Sequence, residues 1–225
     1  FHGVEMNSLP INEVFQTIQG EASFTGTPAV FVRLQGCPVG CPWCDTKHTW
    51  HLEESQRTTL AQVLAKQDDS PAYGQASTAE LLKLLDGFAA RHIVITGGEP
   101  CMYDLRELTA ALLARGRSVQ IETSGTHEVL CADGVWVTVS PKLHMPGGLP
   151  VLASAMRRAN EVKHPVGKLA DIEQLLGVLP LVPSGVQVWL QPLSQSSKAT
   201  ELCIAEATQR GWRVSVQTHK FLGVR

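Results

Sequence analysis

Apolar residues along this chain fall into short runs, and the runs alternate between a strand-like and a helix-like period. The stretch 12–18, Asn-Glu-Val-Phe-Gln-Thr-Ile, partly alternates and is β-prone. Ala29-Val-Phe-Val-Arg-Leu34 is a compact β-branched and aromatic run that reads as a buried strand. A polar insertion then runs from about 51 to 75. Within it the spacing predicts one short helix over 58–66, broken by Asp68-Asp-Ser-Pro71. From Ser77 the alternation becomes regular. Ser77-Thr-Ala-Glu80 is a capping-box pattern ahead of Leu81, Leu82, Leu84 and Leu85. Strands are predicted over 92–96, 118–122, 135–140, 161–164, 186–191 and 212–217, with helices over 105–115, 151–159, 171–179 and 198–210. Such strand–helix alternation builds parallel βαβ units. The expected fold is therefore α/β, with about six mainly parallel strands in a partial barrel.

The residues that follow each predicted strand sharpen the picture. Leu34 leads to a cysteine-rich loop, Thr96 to Gly97-Gly98-Glu99-Pro100, and Glu122 to Thr123-Ser124-Gly125. Ser140 leads to Pro141-Lys142, Gln191 to Pro192-Leu193-Ser194, and Gln217 to Thr218-His219-Lys220. Parallel strands point their carboxyl ends to one face, where barrel-type folds place their chemistry. Small, polar and charged residues recur at that end while the strand bodies read as apolar.

Composition changes this only at the edges. A chain of 225 residues with 44% hydrophobic and 18% charged residues fits one domain with a sizeable core. A net charge of −2 offers no basic footprint, so no nucleic-acid partner is expected. No apolar run has the length of a membrane span, and no signal peptide opens the chain. Free thiols without a secretory signal point to a reducing compartment, the cytoplasm. Residues 1–5, Phe1 to Glu5, precede a methionine and read as an extraneous remnant, leaving 6–225 as the single domain.

The densest chemistry lies in Cys37-Pro-Val-Gly-Cys41-Pro-Trp-Cys44-Asp45-Thr46, where three thiols fall within eight residues. Pro38, Gly40 and Pro42 suit the stretch to a loop rather than a helix or strand. Converging thiolates bind a soft metal or an iron–sulfur cluster, and a four-iron cluster held by three cysteines leaves one iron open to another ligand. Zinc usually takes four ligands, often from paired Cys-x2-Cys units, whereas Cys101, Cys131 and Cys203 stand singly. A disulfide framework is disfavoured, since six cysteines in 225 residues are not disulfide-dense.

The Cys-x3-Cys-x2-Cys spacing resembles the signature of the radical S-adenosylmethionine superfamily. Gly97-Gly98-Glu99-Pro100 is similar to its Gly-Gly-Glu motif; taken alone, paired glycines more often mark a turn. Longer stretches resemble the 7-carboxy-7-deazaguanine synthase family: Phe15-Gln-Thr-Ile-Gln19-Gly20-Glu21, Arg33-Leu-Gln-Gly-Cys-Pro-Val-Gly-Cys, Cys44 through Trp50, Ile121-Glu-Thr-Ser-Gly-Thr-His127, Val139-Ser-Pro-Lys142 and Gln217-Thr-His-Lys220.

That resemblance implies a partial β/α barrel of the radical S-adenosylmethionine type with a shortened helical layer. It implies a lyase that contracts the ring of 6-carboxy-5,6,7,8-tetrahydropterin to 7-carboxy-7-deazaguanine, releases ammonia and feeds queuosine and other 7-deazapurines. Its cofactors would be a [4Fe-4S] cluster on Cys37, Cys41 and Cys44, S-adenosylmethionine, and Mg2+ on Thr46. Cofactor contacts are expected from Trp43, Asp45, Gly98, Glu99, Glu122, Ser124, Ser140, Pro141, Lys142 and Gln191. Substrate contacts are expected from Ile18, Gln19, Gly20, Arg33, Thr96, Gln217 and His219, with Lys220 and His48 as weaker candidates. No side chain is expected to be catalytic itself, because the radical comes from the cofactor. A homodimer and a flavodoxin-type electron donor are implied as partners. The 51–75 insertion would cover the cluster or serve self-association in place of regular structure. Two other readings stay open: another radical enzyme such as a glycyl-radical activase, and a three-thiol zinc module.

Overall fold

The computed structural model describes residues 8–224, so the reading of residues 1–5 lies outside the described residues. The chain forms a ten-stranded sheet in the order β10-β9-β8-β7-β6-β5-β2-β1-β4-β3. Its parallel body comprises β2 (Thr27–Leu34), β5 (His92–Gly97), β6 (Ser118–Thr123), β7 (Trp136–Val139), β8 (Glu161–Val166), β9 (Gln187–Pro192) and β10 (Arg213–Val214). The first strand, β1 (Leu9–Gln19), runs antiparallel to β2 and to β4 (Tyr73–Ala76), and β3 (Arg57–Thr58) pairs parallel with β4. The helices are α1 (Leu60–Ala65), α2 (Thr78–Leu85), α3 (Arg106–Ala114), α4 (Ala153–Arg158), α5 (Leu169–Val178), α6 (Ser197–Arg210) and α7 (Thr218–Leu222). No helix of the described residues is long and apolar enough to cross a membrane.

Period-2 alternation gives the parallel strands two unlike faces. Val30, Val32, Leu34, Ile93, Ile95, Val119, Ile121, Val137, Val139, Val162 and Leu190 join one buried apolar core with Leu81, Leu85, Leu108, Leu112, Ile172 and Leu175 of the helices. The capping box ahead of α2 forms as its sequence requires, with Ser77 and Glu80 bonding reciprocally across the first turn. The opposite face carries Arg33, Thr96, Gln120, Glu122, Thr138, Glu161 and Lys163, whose side chains bond across the lumen or line its cavity. The strand bodies are thus largely apolar on one face and mixed on the other, where Phe31 lines the cavity beside Arg33.

Much of that polar lumen is paired from within. Gln120 accepts from Gln19 Nε2 at 3.1 Å and donates to Thr138 Oγ1 at 2.9 Å, and Thr138 in turn donates to Glu161 at 2.8 Å. The segment between β1 and β2 crosses the lumen at the amino-terminal end of the parallel strands. Ser23 donates to Glu161, Ala22 N donates to Ser215 Oγ at 3.0 Å, and Phe24 stacks on His92 with ring centres 4.2 Å apart. This crossing segment fills one end of the lumen and leaves the sheet an open, partial barrel.

Two expectations need correction. The 51–75 insertion does not replace regular structure: it forms β3, α1 and part of β4, and extends the sheet beyond β1. Few apolar residues anchor it, notably Val63 and Tyr73, both buried, so its pattern is faint in the sequence. The predicted last strand over 212–217 pairs with β9 only at Arg213 and Val214 and gives way to α7. Its later residues find partners elsewhere: Gln217 Nε2 donates to Glu21 at 2.8 Å and Thr218 N to Gly20 O at 3.0 Å.

Candidate active site

A cavity of about 380 Å3 opens at the carboxyl ends of the parallel strands. Cys37, Cys41 and Cys44 all line it. Their loop is pinned through its backbone: Gly36 N donates to Thr49 O at 2.7 Å, Cys37 N to Trp50 O at 2.9 Å, and Cys44 N to Cys41 O at 3.1 Å. Gln35, wholly buried, supports it from behind by donating to His48 O at 3.0 Å and His51 O at 2.7 Å. Asn12 donates to Gln35 Oε1 at 2.7 Å, and Lys66 of the insertion donates to Asn12 Oδ1 at 2.9 Å. The insertion is therefore tied to the cysteine loop by a buried polar chain, an arrangement that no local motif announced.

The Gly97-Gly98-Glu99 turn lies against the same loop. A Cβ on Gly98 would stand 2.0 Å from Gly36 O, so only glycine allows this approach. Glu99 is buried and its carboxylate accepts from Cys101 N at 2.9 Å, Thr123 Oγ1 at 2.6 Å, and Ser124 N at 2.8 Å as well as Ser124 Oγ. Four donors fix this negative group at the cavity wall.

On the far wall Lys163 bridges Glu122, at 2.6 Å, and Glu21. Glu21 also accepts from Gln217 at 2.8 Å and from Gln191 at 3.3 Å. Burial favours the neutral form of Glu21, but the charge and hydrogen bond of Lys163 override it and pull the pKa down to about 2. One lysine cannot neutralise two buried carboxylates, and burial with the Glu21 charge nearby leaves Glu122 raised. Lys142 donates to Ser140 Oγ at 2.5 Å, and burial lowers its pKa. Arg33 lines the cavity while bonding Glu13 at 3.0 Å, which supplies the buried partner its apolar strand demands.

Most of the expected site residues meet here: Ile18, Gln19, Arg33, Trp43, Asp45, Thr46, Thr96, Gly98, Glu99, Glu122, Ser124, Ser140, Lys142, Gln191, Gln217 and His219 line one cavity with the three cysteines. Gly20 and Pro141 do not line it. Gly20 instead makes room for the last helix, since a Cβ there would stand 2.2 Å from His219 Nδ1. His48 also lies off the cavity, beside Glu13 and Asp69. Lys163 was not foreseen as a site residue. Its signal was a cation two positions from Glu161, on the strand face opposite Val162 and Val166.

Comparison with known proteins agrees with this geometry. The family model of the radical SAM superfamily matches residues 31–142. A 7-carboxy-7-deazaguanine synthase of Escherichia coli (strain K12) is 55% identical over 219 residues, covering 96% of this chain and 98% of the relative. That of Buchnera aphidicola subsp. Schizaphis graminum (strain Sg) is 41% identical over 220 residues, covering 96% and 99%. The fold matches the crystal structure of QueE from Escherichia coli with a TM-score of 0.91 at 55% identity, over 94% of this chain and 95% of that one. The chain belongs to the 7-carboxy-7-deazaguanine synthase family.

Membership sets aside the glycyl-radical activase and the zinc module, and implies a [4Fe-4S] cluster and S-adenosylmethionine. The residues of this synthase fit both. Three thiols converge on one cavity, and the Gly97-Gly98 turn meets their loop with no room for a side chain. Burial pushes the Cys37 thiol up to about 11 and raises Cys41, so cluster assembly must displace protons from them.

Proposed function

We propose that the protein converts 6-carboxy-5,6,7,8-tetrahydropterin to 7-carboxy-7-deazaguanine with release of ammonia, as a step toward queuosine. One observation carries this reading: the three-thiol loop, the Gly-Gly-Glu turn and the Glu21–Lys163–Glu122 triad face a single cavity. When bound, the reduced cluster and S-adenosylmethionine supply the radical that starts the rearrangement. The chain's own residues position and enclose. Gly98 and the fixed Glu99 carboxylate would receive the cofactor's amino group. Trp43, Asp45, Ser124, Ser140 and Lys142 would surround its remaining polar groups and adenine.

On the substrate side, Ile18 and Gln19 form part of the cavity lining, and the Gln19 amide suits a pterin's donor–acceptor edge. Glu122 and Gln191, both expected as cofactor contacts, would instead belong with Glu21 and Lys163 to the substrate wall, because the triad joins the Gln19, Gln191 and Gln217 amides. Arg33, Thr96 and His219 complete that wall, and burial lowers the His219 pKa, favouring a neutral imidazole there. Thr46 would hold Mg2+ together with the substrate carboxylate, hard oxygen ligands suited to that ion. The crossing segment and α7 exclude water from below. A flavodoxin-type protein would deliver the electron, and the protein would act as a homodimer in the cytoplasm.

Anaerobic reconstitution, reduction and incubation with S-adenosylmethionine and the carboxytetrahydropterin test the reading by mass spectrometry. The expected result is deazaguanine product with little net loss of S-adenosylmethionine, and no product from Cys44→Ala. Slow cofactor cleavage without pterin turnover would reject the substrate assignment while leaving the radical chemistry in place.

A further inference from the structure

Trp50 holds both ends of the cysteine loop. Its carbonyl accepts from Cys37 N at 2.9 Å, and its indole Nε1–H donates to Cys44 Sγ at 3.4 Å. Trp50 lines the cavity, and its own N–H returns to Lys47 O at 3.2 Å, which fixes the turn that aims the ring. Lys47 Nζ stands 5.8 Å from the ring centre, where a cation draws density from the indole and strengthens its N–H as a donor. Thr46 Oγ1 also approaches Cys44 Sγ, at 3.6 Å, but that hydroxyl is the proposed Mg2+ ligand. Trp50 is thus a side-chain donor to a cluster thiol with no other part in the chemistry proposed above.

From this geometry we propose that Trp50 is a positioning residue that sets the reduction potential of the cluster through Cys44. The inference rests on the cluster reading given above. One-electron reduction adds a negative charge to the thiolate-bearing site, and a hydrogen bond to a ligand sulfur stabilises that added charge. Removal of the donor therefore makes the cluster harder to reduce. A hydrogen bond to a charged group is strong enough for its differential part to shift the reduced-to-oxidised ratio by roughly threefold to tenfold. For one electron, tenfold corresponds to about 59 mV.

The test is an EPR-monitored redox titration with dithionite of the full-length reconstituted protein and of Trp50→Phe, without substrate. Iron and sulfide content is measured in both. Loss of cluster in the unsubstituted protein would overturn the cluster reading itself. With equal loading, a reduced-to-oxidised ratio roughly threefold to tenfold lower in Trp50→Phe at a given potential supports the proposal, and an unchanged midpoint overturns it. Should Trp50→Phe fail to hold the cluster, protein labelled with 15N at the tryptophan indoles decides. A 15N hyperfine coupling to the reduced cluster that survives in Trp43→Phe supports the Trp50 contact. A coupling that is absent, or lost in Trp43→Phe, overturns it.

Discussion

At the scale of single residues, the Glu21–Lys163–Glu122 triad makes an asymmetric prediction. The Glu21 pKa lies far below its ordinary 4.5, near 2, because Lys163 and Gln217 favour its charged form against burial. A lowered pKa contributes stability that is fully present above about 4.5 and is lost as pH falls toward 2. Glu122 is raised by burial, so its contribution has the opposite sign: present below the ordinary carboxylate range and lost as pH rises through its own pKa. Glu21→Gln should therefore lose on the order of 3 kcal/mol at pH 7, as removal of an ionised partner from a buried pair does. Glu122→Gln should lose nothing or gain up to about 1 kcal/mol, because an amide stands there without a charge to desolvate. Urea unfolding of the two variants and the parent at pH 7 and pH 5 measures this. Equal losses in the two variants would reject the division of charge argued here.

At the scale of elements, the last helix depends on a residue at the opposite end of the chain. Gly20 O accepts from Thr218 N at 3.0 Å and from Thr218 Oγ1 at 3.2 Å, and His219 packs where a Gly20 side chain would stand. Gly20→Ala should push α7 away, speed hydrogen exchange over 217–222 by at least tenfold, and raise the substrate KM more than it lowers kcat. Unchanged exchange there would show that the segment relaxes around the methyl group. This contact also marks where the sequence stopped being readable. Periodicity revealed β2, β5 to β9 and the longer helices because each buries an apolar face of its own. The cysteine loop and the glycine turn were legible because their residue types demand a particular chemistry. Gly20 against His219, and Lys66 through Asn12 to Gln35, are pairings across long separations that neither period nor motif encodes. The same holds for β3 and β4, whose pairing is decided by β1 and whose own segment is mostly polar. Lys163 lay between these cases: alternation alone would have turned it into the lumen.

At the scale of the whole molecule, the apolar core and the chemical cavity sit on opposite faces of the same strands, so they need not melt together. The core strands β5 to β8 are covered by helices and stay paired without any group in the cavity. The cysteine loop owes its position to a few backbone bonds, to Gln35 and to the Gly98 approach. It also holds the loop beyond β7, through Gly147 N donating to Val39 O at 3.0 Å. Three cysteine–metal bonds would bind these pieces to one centre, and a group bound only by the folded loop stabilises that loop in proportion to its affinity. Chelation of iron from the reconstituted protein should therefore raise hydrogen exchange over 36–51 and 144–148 by roughly tenfold or more, as low-stability segments open independently of the core. Exchange in β5 to β8 should change less than about twofold under the same treatment. Uniform loss of protection across both regions would instead mean that cluster and core form one cooperative unit, with the polar lumen of Gln120, Thr138 and Glu161 transmitting the loss from one face of the sheet to the other.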